Sequence, residues 1–184
     1  QCDDAQLATA RSALDGADVL MLQLEVPYAV SIAAAREAKR LGVKVIWDPA
    51  PASAGFPLES FEALDVVTPN QIEAEALTGI AVRDMRSAKS AAEEIRKMGA
   101  PIAIVKMGDE GAYYSGPDGS GHVGSYVVEA VDTVAAGDAF GGAFAVAFGE
   151  GRDIEEALHF GTAAGALAVT RPGAQEAMPP RGEV

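Results

Sequence analysis

The sequence predicts an α/β fold in which a mostly parallel sheet carries helices on both faces, giving three layers, α/β/α. Short apolar runs typical of buried strands alternate with longer segments of helical periodicity along the chain. Several helical segments end at a glycine, and alternation of this kind builds parallel strands joined by helices. With 184 residues, 49% of them hydrophobic, the chain can bury the core of a single domain over residues 1–184.

Four short apolar runs predict the parallel strands, because each is followed by a polar or turn-forming residue that would end it. They cover residues 19–24, 43–47, 66–67 and 102–106. The first run is nearly all apolar, as expected of a strand buried on both faces. A hairpin is predicted further on, where residues 112–114 and 123–128 flank a turn-forming stretch at 115–121.

Five longer segments predict helices, since each is rich in alanine or has apolar residues at helical spacing. They cover residues 30–41, 71–77, 84–98, 137–148 and 154–169. The first three end at or near Gly42, Gly79 and Gly99, the usual signal for a helix C-terminus. Asp84 is the expected N-cap of the third helix.

The composition disfavours several classes of function. A net charge of −13 provides no basic face for nucleic acid. Cys2 is the single cysteine, which excludes an intrachain disulfide and a cysteine metal cluster, and His122 and His159 are interpreted as structural or exposed. No apolar run approaches the roughly 18 residues of a membrane span. No signal peptide opens the chain, so we expect a cytoplasmic protein without a membrane partner.

Polar residues follow the predicted strands. Glu25, Asp48, Asn70 and the loop at residues 106–111 each come just after one of them. Ligands of parallel sheets bind beyond the carboxyl ends of the strands, so these residues should line one edge. No Gly-x-Gly-x-x-Gly follows the first strand, which disfavours a dinucleotide-dependent dehydrogenase.

The segment from residue 132 to 138, Asp-Thr-Val-Ala-Ala-Gly-Asp, precedes the fourth predicted helix. Small residues there allow a ligand to approach the backbone, and the free N–H groups of Ala135, Ala136 and Gly137 would form an anion hole. Asp138 at its mouth suits a base that takes a proton from a hydroxyl while the hole holds a phosphoryl group. The alternative is an acidic residue that merely stabilises a helix N-terminus.

Six segments together resemble the ribokinase branch of the PfkB-type carbohydrate kinases. They are residues 23–27 (Gln-Leu-Glu-Val-Pro), 48–52 (Asp-Pro-Ala-Pro-Ala), 68–73 (Thr-Pro-Asn-Gln-Ile-Glu), 105–111 (Val-Lys-Met-Gly-Asp-Glu-Gly), 132–138 and 169–175 (Val-Thr-Arg-Pro-Gly-Ala-Gln). They occur in the family's order and spacing and cover almost the whole chain. The resemblance implies a ribokinase-like fold and ATP-dependent phosphorylation of a sugar hydroxyl, with ribose the best single substrate and ATP, Mg²⁺ and K⁺ as cofactors.

The resemblance also assigns roles to single residues. Asp138 would be the base, and the backbone of Ala135, Ala136 and Gly137 would stabilise the transferred phosphoryl group. Glu25 would contact the sugar hydroxyls, with a solvent-facing glutamate as the alternative. Asp48 stands where many relatives have asparagine; it would shape the phosphate end of the cleft or simply sit in a turn.

For the nucleotide, the resemblance implies that Asn70 and Glu73 organise Mg²⁺ and the ATP phosphates through water. The alternative, compatible with that role, is a helix capping box. The loop with Lys106, Gly108 and Gly111 would approach ATP, unless it is a turn with a solvated lysine. Thr162 would reach the same pocket, against the alternative of a threonine packed within its helix.

A monovalent cation site, usually for potassium, is implied near the anion hole. Its ligands would be the Asp132 side chain and the Val134 carbonyl, completed by carbonyls of the carboxyl-terminal loop at Ala168, Arg171 and Gly173. Two positions depart from the family's pattern. Ala177 stands where a side-chain oxygen, often serine, is expected. Gly141 stands where ribokinases usually carry asparagine.

The resemblance begins in the middle of the family's pattern, without its amino-terminal strands, paired-glycine motif and β lid. We therefore expect a fragment, with apolar surface exposed where the missing strands would pair. A full-length relative is expected to be a homodimer, with its lid at the interface. Two alternatives stay open: a kinase for another sugar or a nucleoside, and a truncated, non-catalytic nucleotide-binding module.

Overall fold

A computed structural model describes residues 4–51 and 58–184, with side chains for residues 9–51 and 61–184. Cys2 and Ala52, both named above, lie outside the described residues. Six strands form one sheet in the order β1-β2-β3-β4-β5-β6. They are β1 (Val19–Leu22), β2 (Lys44–Trp47), β3 (Val66–Val67), β4 (Ile102–Lys106), β5 (Ala112–Gly116) and β6 (Gly119–Val123).

Strands β1 to β4 are parallel, as predicted. The register pairs Leu22 with Trp47 and Trp47 with Val67, so these strands end at the same edge. β3 continues this alignment with β4, since Val67 pairs with Ala103. The polar residues that follow the strands are therefore brought to one edge of the sheet.

Six α-helices are described: α1 (Asp4–Ala13), α2 (Tyr28–Leu41), α3 (Gln71–Thr78), α4 (Met85–Lys97), α5 (Ala136–Gly149) and α6 (Ile154–Ala168). Five of them were predicted, with bounds that differ by two residues or fewer. Gly42 and Gly79 cap α2 and α3 in the left-handed conformation, and Asp84 caps α4. Helix α1 was not predicted, because its alanines and polar residues give a weak apolar period.

The predicted hairpin exists, but its bounds were wrong. β5 extends to Gly116 and β6 begins at Gly119, so the turn is Pro117-Asp118 and residues 124–128 lie outside the strand. The glycines near residue 120 had indicated a long turn. In the structure Gly121 belongs to β6, and a Cβ there would meet the ring of Tyr114 at 3.0 Å. This glycine makes room for an aromatic side chain.

The described residues group into two compact units. One comprises those up to Lys106 together with Tyr113–Gly121, and the other comprises Met107–Ala112 and His122–Val184. The prediction of a single domain over residues 1–184 stays a prediction. No helix among the described residues is both long and apolar enough to cross a bilayer.

The first unit has its core around β2, β3 and β4. Trp47, Val66 and Ile104 are fully buried there. The buried residues of helix α4 are Ala88, Ala91, Ala92 and Ile95, and its three alanines permit close approach. At one edge of the sheet, Met21 on β1 is 44% exposed.

The second unit is built on the pair α5 and α6. Phe144 is fully buried and stacks on Phe140 and Phe148 along α5. A Cβ at Gly161 would lie 3.1 Å from the Phe140 ring, and one at Gly165 would lie 3.3 Å from the Ala136 carbonyl oxygen. Glycine at these two positions therefore lets α6 pack closely against α5.

Candidate active site

In the first unit, the site is built from residues just beyond the parallel strands. Leu24 N donates to the Ala50 carbonyl oxygen at 2.7 Å, which ties the segment after β1 to the segment after β2. Glu25 in this segment is exposed. Its predicted contact with a sugar stays a prediction.

Asn70 and Glu73 form a complete capping box at the start of α3. The Asn70 side chain accepts from Glu73 N at 2.9 Å, and the Glu73 carboxylate accepts from Asn70 N at 2.7 Å and from Asn70 Nδ2 at 2.8 Å. Burial raises the pKa of Glu73, and the hydrogen bond from the Asn70 backbone partly opposes this. Their link to Mg²⁺ and phosphate stays a prediction.

Lys106 pairs with Asp48, an interaction that the sequence analysis missed. Its Nζ lies 2.6 Å from Asp48 Oδ2, and the two side chains are 14% and 12% exposed. The alternative of a solvated lysine is therefore wrong. The sequence does place both residues at the ends of predicted strands. Predicting their ion pair also requires knowing that these strands flank β3, and sequence spacing alone does not give that order.

In the second unit, Gly108 and Gly111 bound a short 3₁₀ turn, Gly108–Glu110. Both have positive φ, +62° and +92°. A Cβ at Gly111 would lie 2.0 Å from the Val123 carbonyl oxygen, so only glycine fits. His122 is exposed and its Nε2 lies 2.6 Å from the Glu110 carbonyl oxygen, which agrees with its interpretation as structural or exposed.

The predicted anion hole lies at the N-terminus of α5, which begins at Ala136, one residue earlier than predicted. Ala135 is the N-cap with φ +63°, the one non-glycine residue with positive φ in the described part of the chain. It provides no side-chain cap hydrogen bond. Ala136 N makes a long bond of 3.4 Å to the Thr133 carbonyl oxygen. Asp138 is exposed in the first turn.

This arrangement suits anion binding. A helix start leaves N–H groups without intrahelical partners, and its dipole is positive there. Serine, threonine, asparagine or aspartate at the N-cap would usually occupy one of these groups. With alanine as the N-cap, no cap side chain competes with an incoming anion.

Asp132 joins the turn before α5 to the carboxyl-terminal loop. Its Oδ1 accepts from Val134 N at 3.0 Å and its Oδ2 from Gly173 N at 3.1 Å. These two backbone hydrogen bonds lower the pKa of Asp132. The Ala168 carbonyl oxygen accepts from Arg171 N at 3.2 Å.

A carboxylate together with carbonyl oxygens is a donor set suited to a hard cation. Asp132 and Gly173 are joined by a hydrogen bond from the Gly173 N–H, whereas the ligand predicted at Gly173 is its carbonyl oxygen. Ala177 is fully buried and offers no side-chain oxygen. Among the described residues no group of three or more His, Cys, Asp or Glu could hold a metal ion. The potassium site stays a prediction.

Thr162 is 5% exposed on α6, and its hydroxyl donates to the His159 carbonyl oxygen at 3.0 Å. This is the hydrogen bond of a threonine packed within its helix. Its predicted nucleotide contact has no further support from the geometry. His159 itself is exposed, in keeping with its interpretation.

Comparison with known proteins gives consistent matches. The sequence profile of the pfkB family carbohydrate kinases matches residues 4–181. The chain is 41% identical over 166 residues to a ribokinase from Haemophilus influenzae, covering 90% of this chain and 54% of that protein. It is 38% identical over 171 residues to a ribokinase from Staphylococcus aureus, covering 92% and 56%. The chain thus spans about half the length of the curated relatives it matches.

Solved structures agree. A ribokinase from Thermotoga maritima superposes with a TM-score of 0.83 at 44% identity, covering 94% of this chain and 57% of that one. An Arabidopsis thaliana ribokinase, complexed with ribose and ATP, gives a TM-score of 0.88 at 32% identity, covering 98% and 57%. They confirm the predicted ribokinase-like α/β fold. By its sequence profile and its relatives, this chain belongs to the pfkB family of carbohydrate kinases.

Proposed function

We propose that this chain carries the nucleotide-binding and catalytic part of an ATP-dependent sugar kinase, with ribose as acceptor. The observation that supports this most is the N-terminus of α5, where no side chain caps the helix and Asp138 stands in the first turn. Such a site can hold a transferring phosphoryl group while an adjacent carboxylate accepts a proton.

In this proposal Asp138 accepts the proton of the sugar hydroxyl as that oxygen attacks the γ-phosphorus of ATP. The N–H groups of the turn Ala135, Ala136 and Gly137 stabilise the negative charge on the phosphoryl oxygens. Phosphoryl transfer needs positioning and electrostatics more than covalent help, so a base and an anion hole supply what the reaction requires.

Residues of each unit are proposed to bind the nucleotide and ions. Asn70 and Glu73 occupy each other's polar atoms, which suits contact with Mg²⁺ through its water shell. Bound Mg²⁺ neutralises charge on the ATP phosphates. Gly108 and Gly111 bring backbone close to the nucleotide. Asp132, with the carbonyls near Gly173, would hold K⁺.

Ribose is proposed because the matched relatives from Haemophilus influenzae and Staphylococcus aureus are ribokinases, and the Arabidopsis thaliana structure contains ribose and ATP. One observation favours a second acceptor. The chain is also 35% identical over 161 residues to a deoxyribokinase from Salmonella typhi. Deoxyribose is therefore the acceptor to compare first.

The test is release of ADP with ATP, Mg²⁺ and K⁺, without sugar and with ribose, 2-deoxyribose, fructose or adenosine. The proposal expects the largest increase with ribose. An increase with another acceptor alone would overturn the choice of ribose but keep a kinase. ATP binding without an increase from any acceptor would replace the proposal with a non-catalytic nucleotide-binding module.

A further inference from the structure

A buried ion pair joins two strands that are not neighbours in the sheet. Lys106 at the end of β4 and Asp48 directly after β2 lie on either side of β3, with Nζ and Oδ2 2.6 Å apart. Both side chains are less than one-sixth exposed. At this depth water screens the charges little, so each charge stabilises the other.

A second carboxylate, that of Glu73, lies within the field of both charges. Burial raises the pKa of Glu73, and in addition the charge of Lys106 lowers it and the charge of Asp48 raises it. Both Glu73 carboxylate oxygens accept hydrogen bonds from Asn70, one from its N and one from its Nδ2. Without the charge of Asp48, Lys106 would be drawn towards Glu73 and away from its present position.

Backbone hydrogen bonds hold Lys106 in the sheet, so only its side chain can change direction. Lys106 N donates to the Pro69 carbonyl oxygen at 2.8 Å, and Lys106 pairs with Asn70 in a parallel bridge that prolongs the β3–β4 ladder. These bonds fix where the lysine emerges from the sheet. The partner of Nζ then decides in which direction its charge is held.

We infer that Asp48 is a positioning residue of the nucleotide site: it holds the Lys106 ammonium across the end of β3 and thereby leaves Glu73 to Asn70. The inference rests on the proposed function, in which Lys106, Asn70 and Glu73 meet ATP and its Mg²⁺. Asp48 acts through Lys106 and makes no contact of its own with the nucleotide.

The test is a double-mutant cycle read out as the Kd for MgATP by titration calorimetry on the full chain. Asp48→Asn keeps the shape of the side chain and removes its charge, so it should weaken MgATP binding by about tenfold, the difference between a charged and a neutral hydrogen bond. In a Lys106→Met background, Asp48→Asn should change the Kd by less than about twofold, because the group it acts through is gone.

Asp65→Asn is the matched control. Asp65 directly precedes β3, pairs with Lys39 and accepts from Val45 N at 2.7 Å, so it is also an aspartate in a lysine pair beside the sheet. It lies at the opposite end of β3 and should leave the Kd unchanged. Thermal unfolding without ligand checks that every variant is folded.

The measured Kd values either support or overturn the role of Asp48. An unchanged Kd in Asp48→Asn, with wild-type binding intact, overturns the inference alone. An equal loss with and without Lys106 also overturns it, because Asp48 would then act independently. If Asp48→Asn does not fold, Lys106→Met still tests the inference: an unchanged Kd in that variant overturns it, because Asp48 would then have no nucleotide-binding group to act through. A wild-type chain that does not bind MgATP overturns this inference together with the proposed nucleotide function.

Discussion

Gly111 is the position where the structure allows the sharpest prediction of stability. Its φ of +92° and ψ of −129° lie in a region that other residues avoid. A Cβ there would lie 2.0 Å from the Val123 carbonyl oxygen and 2.7 Å from both Gly124 C and Ser125 N. All three neighbours are backbone atoms, so no side chain can rotate away. Gly111→Ala must strain the loop and shift the chain after β6.

The cost follows from two contributions. Unfavourable backbone conformation costs about 1–3 kcal/mol, and overpacking of a well-packed site costs about 1–3 kcal/mol. Together they predict that Gly111→Ala lowers the free energy of unfolding by about 4 kcal/mol. For a chain of this length, that lowers Tm by roughly 8–16 °C.

Variants at two other glycines are the controls, and the stability of each is measured by thermal and urea unfolding. Gly108→Ala, at φ +62° with no atom within 4 Å of its Cβ, has only the conformational cost of about 1 kcal/mol. Gly142→Ala, within α5 and equally unobstructed, should stabilise the chain by about 0.5–1 kcal/mol. A Gly111→Ala variant as stable as Gly108→Ala would refute the steric argument.

Two further predictions concern the turn before α5. Ala135→Gly should stabilise the chain by about 0.5 kcal/mol, because the left-handed conformation costs alanine about 1–2 kcal/mol and the freer unfolded chain returns part of that. Thermal unfolding checks it against Ala163→Gly in α6, which should lose about 1 kcal/mol; a less stable Ala135→Gly would contradict it. The lowered pKa of Asp132 means that its carboxylate stabilises the folded chain above its ordinary pKa of 3.8, and that this stabilisation disappears as the pH falls through the lowered value. Urea unfolding of wild type and Asp132→Asn should therefore differ at neutral pH and converge in acid, and a constant difference would contradict the assignment.

The order of strands and helices could be predicted because its signals are local. Apolar runs and C-terminal glycines such as Gly42 and Gly79 act within a few residues of where they stand. The capping box of Asn70 and Glu73 is equally local, and the structure contains it. The predicted hairpin bounds were wrong because Gly121 lies in a strand, where it makes room for the Tyr114 ring. This contact between two strands cannot be read from sequence spacing.

The positions of the candidate site residues beyond the strands could be predicted from the sequence, but their contacts with one another could not. Asp48 and Lys106 were both named, but their ion pair spans 58 positions in sequence and depends on β3 lying between their strands. Thr162 was assigned from resemblance, whereas its hydroxyl is bonded within α6. Long-range pairing and the direction of a side chain are decided by packing, which the sequence pattern does not contain.

The most direct test of the proposed kinase activity is ribose-dependent ADP release by the wild-type chain and by Asp138→Asn, with ATP, Mg²⁺ and K⁺. Loss of a general base predicts a fall of about 10²–10⁴-fold in that rate, with the Kd for MgATP unchanged. Asp153→Asn, an exposed aspartate that caps α6, should keep wild-type activity. An Asp138→Asn variant as active as wild type would contradict the assignment of the base, and absence of any ribose-dependent release would contradict the kinase activity proposed for this chain.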